Sequence, residues 1–308
     1  MSDKLDVPIR SILVPLDGSR LAEAAVAPSV AVATGLGARV TLLHVLEHEA
    51  PATVHGEPHL ATEAEATAYL ERVAARYAAV GVAVGSHVHA NPERDVTGAI
   101  AAHAAELGAD LVVLASHGSG GLRGFLFGRV AQQVVRRGTR PVLIVQVRDD
   151  SQVDRPFVCE TIALLLSGAD EAEAVIPVAV TLTRALTSRL HLILAVPTVG
   201  TLDADRAASA TLMPGTARAV LAMEEESAQA YLGTVARDLG ERGLKVTTAV
   251  VRGDPASATV DEANRVGADV LALATHGRQG LSGIWAGSVG AKVLGRFDRA
   301  LLLARAPG

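Results

Sequence analysis

The sequence predicts an α/β protein built as two doubly wound parallel-sheet domains in tandem. Three observations point there. Short apolar runs of strand-forming residues alternate with helical stretches along the chain, the pattern of a parallel sheet covered on both faces. The pattern then repeats: Ile12, Leu16, Gly18, Glu23, Arg39 and Leu42 recur as Ile162, Leu166, Gly168, Glu173, Arg189 and Leu192, and Ala115–Arg129 recurs as Ala274–Ser288. A chain of 308 residues also has room for two units of about 150 residues, each able to bury its own core. The expected units are residues 8–148 and 156–306, joined by the polar stretch Asp149–Arg155. Two related halves are expected to pack as a pseudo-twofold pair.

Each element has a local reason. Ser11–Leu16 is β-rich and stops at Asp17-Gly18-Ser19, where Ser19 is placed to cap a helix running to Leu36. Arg39–Leu46 reads as a buried strand, and Glu47–His59 as a polar, solvated loop. A helix is expected over Thr62–Ala79 and a strand over Gly81–His89. Asn91-Pro92 should turn the chain into a helix at Glu93–Leu107, which Gly108-Ala109-Asp110 ends. The strand Leu111–Ala115, a glycine loop, a helix to Arg137 and the strand Val142–Val147 complete the half. The strands Val142–Val147 and Ala300–Ala304 are expected as edges, free to pair across the halves or between chains.

Composition excludes several classes. A net charge of −5 with scattered basic residues gives no field to hold nucleic acid, and 3% aromatic residues offer few stacking platforms. No charge-free apolar run reaches the roughly 18 residues of a membrane span, and the N-terminus lacks the pattern of a signal peptide, so no membrane partner and a cytoplasmic location are expected. Cys159 is the only cysteine and sits in an apolar run, as an inert core thiol would. His44, His48, His55 and His59 fit no metal-ligand spacing, so no metal site is expected. No carboxylate or nucleophile accompanies His117 or His276 in sequence, so no catalytic residue is assigned.

The stretch richest in chemistry is the glycine loop. In both copies Gly, Ser and Thr follow an apolar strand and precede a helix, so several backbone N–H groups can turn toward one anion. Gly118, Gly121 and Gly128 supply this in the first half, and Gly277, Gly280 and Gly287 in the second. In doubly wound sheets the ligand sits beyond the carboxyl ends of the strands, where the strand order reverses. Asp17, the end of the second strand near Val45, and the Gly118 loop all follow strands and are expected to meet there.

Leu13-Val-Pro-Leu-Asp-Gly-Ser19, Gly108-Ala-Asp-Leu-Val-Val-Leu-Ala-Ser-His-Gly118 and Arg140-Pro-Val-Leu-Ile-Val145 resemble the universal stress protein family. Arg252-Gly-Asp-Pro255 and Gly267-Ala-Asp-Val-Leu-Ala-Leu-Ala-Thr-His-Gly277 carry the resemblance through the second half. It implies a Rossmann-like, adenine nucleotide alpha hydrolase-like fold in each half, a role in stress response as a sensor or regulator, and ATP as ligand, alone or with Mg2+. Slow ATP hydrolysis is the most turnover it implies. The nucleotide-binding residues carried over are Pro15, Asp17, Val45, Ala115, Gly118, Gly121, Gly128, Arg129 and Val130, and in the second half Ala274, Gly277, Gly280, Gly287, Ser288 and Val289. Both halves depart from the family's G-x2-G-x9-G-[S/T] pattern: Ala115 and Ala274 replace its first glycine, Arg129 its hydroxyl residue, and Ser167 stands where Asp17 would. An open alternative is a degenerate relative that binds no nucleotide and works through protein contacts, with a homodimer among the assemblies left open. A Rossmann-type oxidoreductase is not expected, because no G-x-G-x-x-G opens a helix after either first strand; likewise no Walker sequence with Gly-Lys-Ser/Thr is present.

Overall fold

The computed structural model describes residues 6–117, 129–147, 149–153, 155–202, 204–275, 292–293 and 295–305. Its first half holds β1 (Ser11–Pro15), β2 (Arg39–Glu47), the short pair β3 (Thr53–Val54) and β4 (Glu57–Pro58), β5 (Val84–Glu93), β6 (Leu111–His117) and β7 (Val142–Val147). The second holds β8 (Thr161–Leu166), β9 (Arg189–Val196), β10 (Val246–Arg252), β11 (Val270–Thr275) and β12 (Ala300–Arg305). The helices are α1 (Val26–Leu36), α2 (Glu63–Ala75), α3 (Val96–Glu106), α4 (Arg129–Arg137), α5 (Asp170–Glu173), α6 (Ile176–Ala185), α7 (Ala204–Leu212), α8 (Pro214–Glu241) and α9 (Pro255–Arg265).

Among the described residues, ten strands form one sheet in the order β10-β9-β8-β11-β12-β7-β6-β1-β2-β5. In this sheet every pairing inside a half is parallel, and β7 and β12 join the halves in antiparallel register. The first half is thus a doubly wound unit with β1 at its centre. One face is covered by α1, α2, α6 and α8 over Val14, Leu42, Leu164 and Leu192, and the other by α3, α4 and α9 over Leu13, Leu43, Ile144 and Leu271. Buried on both faces, the central strands are continuous apolar runs.

The seam is a pseudo-twofold interface. Leu143 pairs with Leu302, its own counterpart, while Ile144 meets Leu301 and Val142 meets Leu303. Likewise Gly35 of α1 lies against Ala185 of α6, again its counterpart, so closely that a Cβ on Gly35 would overlap the Ala185 carbonyl. A residue touching its own equivalent lies on the axis. The β7 and β12 edges of the two halves therefore complete each other within one chain.

The repeated Gly-Ala-Asp motif has a structural role. Asp110 accepts the N–H groups of Arg10 and Ser11 at 2.8 and 3.1 Å, and Asp269 does the same for Glu160 and Thr161 at 2.8 and 3.1 Å. Each aspartate anchors the start of the central strand of its half.

Two expectations are corrected. Asn91-Pro92 does not turn the chain but lies inside β5, which an edge strand permits because a proline on its free side forfeits no ladder bond. Nor is Glu47–His59 simply a solvated loop. It contains the β3–β4 hairpin, whose tip residues His55 and Gly56 take φ of 51° and 86°, the positive values a two-residue hairpin turn needs. Cys159 is buried, and burial pushes its thiol up to about 12.

Candidate functional site

The strand order reverses at β1, which lies between β2 and β6, and again at β8, between β9 and β11. Successive connections leave to opposite faces at such a point, so a crevice opens beyond the carboxyl ends of the two strands. The first is bounded by the turn after β1 and the end of β6, and the second by the turn after β8 and the end of β11.

In the first crevice Asp17 shapes the turn. Its Oδ1 accepts the Ser19 N–H at 2.9 Å and the Ser19 hydroxyl at 2.6 Å, while Ser19 Oγ accepts the Ala22 N–H at 3.2 Å. Ser19 thus closes the turn that leads into the 3-10 turn at Ala22–Ala25, but it does not cap α1 as expected: the residues at the N-cap positions are Leu21 and Ala25, and neither makes a side-chain cap bond. The β3–β4 hairpin lies over this turn. His55 Nε2 stands 3.8 Å from Asp17 Oδ2, Glu57 accepts the Arg20 N–H at 2.5 Å, and Leu60 packs on Gly18, whose φ is +93°. Behind them His44 donates from Nδ1 to the Leu16 carbonyl at 2.7 Å. Burial holds His44 below the usual histidine range, so the ring is neutral at pH 7.

Among the described residues the second crevice has no such roof. Gly168 makes the same left-handed turn, at φ +77°, yet no described atom lies within 4 Å of where its Cβ would be. Ser167, Gly168 and Ala169 are all exposed. The connection after β9 runs instead into α7 and the 28-residue helix α8.

The residues carried over from sequence fall into three groups. Pro15 and Asp17 are half-buried at the end of β1, with Leu165 and Ser167 in the corresponding places of the second half. Ala115 and Ala274 lie inside β6 and β11, and neither has the positive φ that would call for glycine. Replacing the motif's first glycine thus costs no backbone strain in either half. Val45 is 6% exposed, with its side chain in the core beside Leu43 and Ile100 and its backbone paired to His89 of β5. Val130 is exposed in the first turn of α4, which begins at Arg129. Gly118, Gly121, Gly128, Gly277, Gly280, Gly287, Ser288 and Val289 lie outside the described residues.

Sequence reasoning missed His55, Glu57 and Leu60. Their signal was His55-Gly56 between two short pairs able to extend, which is a hairpin pattern. Among the described residues no helix is long and apolar enough to cross a membrane.

The chain is similar in fold to a functionally unknown protein from Pseudomonas aeruginosa PAO1, at 18% identity over 97% of this chain and 93% of that one, with a TM-score of 0.68. It is similar as well to a universal stress protein from Archaeoglobus fulgidus DSM 4304, at 15% identity over 96% and 98% of the two chains, with a TM-score of 0.62. A universal stress protein solved in complex with cAMP matches 46% of this chain and 98% of its own, at 24% identity and a TM-score of 0.35. No curated protein sequence matches. The model of the universal stress protein family matches twice, at residues 8–146 and 160–305. With both of its halves so matched, the chain belongs to the universal stress protein family.

Proposed function

We propose that this protein binds an adenine nucleotide, ATP, at the switch point of its second half, and that it acts in stress response as a sensor or regulator rather than by turnover. The contrast between the two turns carries this reading: Gly168 is open to solvent where Gly18 lies under Leu60. The second half also keeps Gly277, Gly280, Gly287 and Ser288, whose N–H groups and hydroxyl suit phosphate, with Val289 following. Ser167 offers a hydroxyl near the strand end in place of an aspartate, which removes one negative charge from the path of a triphosphate. Mg2+ would accompany the phosphates.

In the first half Pro15, Asp17, Ala115, Gly118, Gly121, Gly128, Arg129 and Val130 form a second site of the same kind, closed by its own hairpin. Asp17 already holds Ser19, and Glu57 adds a carboxylate over the crevice. Val45 contributes backbone only. The units proposed to fold around these sites are residues 8–148 and 156–306, in a cytoplasmic protein.

Calorimetry with ATP and Mg2+ tests the reading. Losing one hydrogen bond to a charged group costs roughly ten- to a hundred-fold in affinity. Gly277→Val should weaken binding by at least about tenfold, whereas Gly118→Val and Asp17→Ala should change it by less than about threefold. Absence of binding to the intact protein would favour the second reading, a protein that works through contacts. That reading draws support from Leu212 and Met223 on the α7–α8 hairpin, which are 83% and 67% exposed.

A further inference from the structure

At the free edge of the sheet, where β5 lies beside β2, three imidazoles are packed together. His87 and His89 alternate along β5 and face α3, from which His103 reaches between them. The His103 ring lies 4.8 Å from that of His87 and 4.9 Å from that of His89, edge to face in both cases. His103 Nε2 and His89 Nδ1 are 2.9 Å apart. One of the two therefore donates and the other accepts, and the contact holds only while at least one ring keeps a lone pair there.

The charged neighbours sit at the rim. Glu93, on β5, approaches His89 Nε2 at 3.3 Å, and Glu106, on α3, stands 3.1 Å from His103 Nδ1, but off the line of a hydrogen bond. From β2, the residues facing α3 are Thr41, Leu43 and Val45, none of them titratable. On α4, the Arg137 guanidinium is held by Asp95. On the opposite face of the sheet α2 packs through Tyr69, Leu70 and Val73. Among the described residues no three His, Cys, Asp or Glu side chains are arranged to hold a metal ion.

The second half supplies an internal comparison. There Ala249 and Val251 replace His87 and His89, and Glu262 replaces His103. Glu262 accepts from His191 at 2.9 Å and from Arg265 at 2.6 Å. A proton added to His191 meets the Glu262 carboxylate, although burial holds this ring, too, below the ordinary histidine value. A proton added to His103 meets two other imidazoles, with the Glu106 carboxylate 3.1 Å from its Nδ1.

We propose that His87, His89 and His103 form a proton-operated latch that keeps the edge strand β5 closed on α3 at neutral pH and releases it in acid. The direction follows from the burial of His103. Burial, and then His87, hold its pKa below the ordinary histidine value near 6.5, against the opposing pull of Glu106. The open form therefore takes up the proton first. Closure is complete above about pH 6.5 and is lost as pH falls below it.

Hydrogen exchange on the full chain between pH 7.5 and 5.5, corrected for intrinsic exchange, reads the latch locally. Protection across 84–93 and 96–106 should fall about tenfold relative to 246–252 and 255–265, and His103→Gln should abolish that difference. His89→Gln, at a less buried position, should abolish it too and serves if His103→Gln does not fold. Equal loss of protection in both halves would overturn the proposal, as would a difference that survives both substitutions. So would a difference that responds to Zn2+ or a chelator but not to pH.

Discussion

Two glycines at matching positions show how much one contact changes a turn. Gly18 and Gly168 both hold left-handed backbone, but a Cβ on Gly18 would come within 3.0 Å of Leu60, whereas Gly168 meets no described atom. An alanine at either position takes on roughly 1–2 kcal/mol of backbone strain. At Gly18 the crowding against Leu60 adds about 1 kcal/mol more. Urea unfolding should therefore find Gly18→Ala more destabilising than Gly168→Ala, and equal losses would mean that the hairpin does not press on the turn. Asp17 and Ser19 were legible in sequence because their bonds are local. The approach of His55 to Asp17 was not, since it depends on a hairpin folding back across a long separation.

At the scale of elements, the halves differ most in the connection after their second strand. The first half inserts β3–β4 over its crevice, and the second inserts α7 and lengthens α8. Replacing residues 53–58 by a Gly-Ser link removes an exposed hairpin whose strands pair only with each other and which touches the first turn through His55 and Glu57, so the melting temperature should stay within about 5 °C. In a Gly277→Val background the same deletion should raise ATP affinity at least about tenfold over Gly277→Val alone, as measured by calorimetry. No gain would show that the hairpin does not restrict the first crevice. Strand and helix order was readable from periodicity, down to the edge strands Val142–Val147 and Ala300–Ala304. The hairpin and the extended Asn91-Pro92 were misread, because a short loop and a proline carry no periodicity and their conformation depends on what lies beside them.

For the whole molecule the seam decides whether two domains behave as one. In an isolated helix Gly35→Ala would gain about 1 kcal/mol of propensity. Here the added methyl meets the Ala185 backbone, which cannot move without shifting α6, and overpacking of this kind costs typically 1–3 kcal/mol. The substitution should be destabilising despite its helix propensity. Because β7 and β12 share one sheet, circular dichroism and hydrogen exchange in both halves should lose structure together. A stabilised Gly35→Ala protein, or halves that melt separately, would contradict the tight axial contact.

Alternation, repetition and motif spacing are properties of the chain read along itself, and by themselves they determined the fold class, the duplication and the family. They also located the turns after β1 and β8, because capping and left-handed glycine are local matters. Tertiary structure alone decided that the halves close on each other through Leu143 and Leu302, that a hairpin roofs one crevice with no counterpart among the described residues at its twin, and that three histidines share one space. Each of these depends on surfaces distant in sequence meeting at a few ångströms, and packing forces of that range leave no periodic trace in the order of residues.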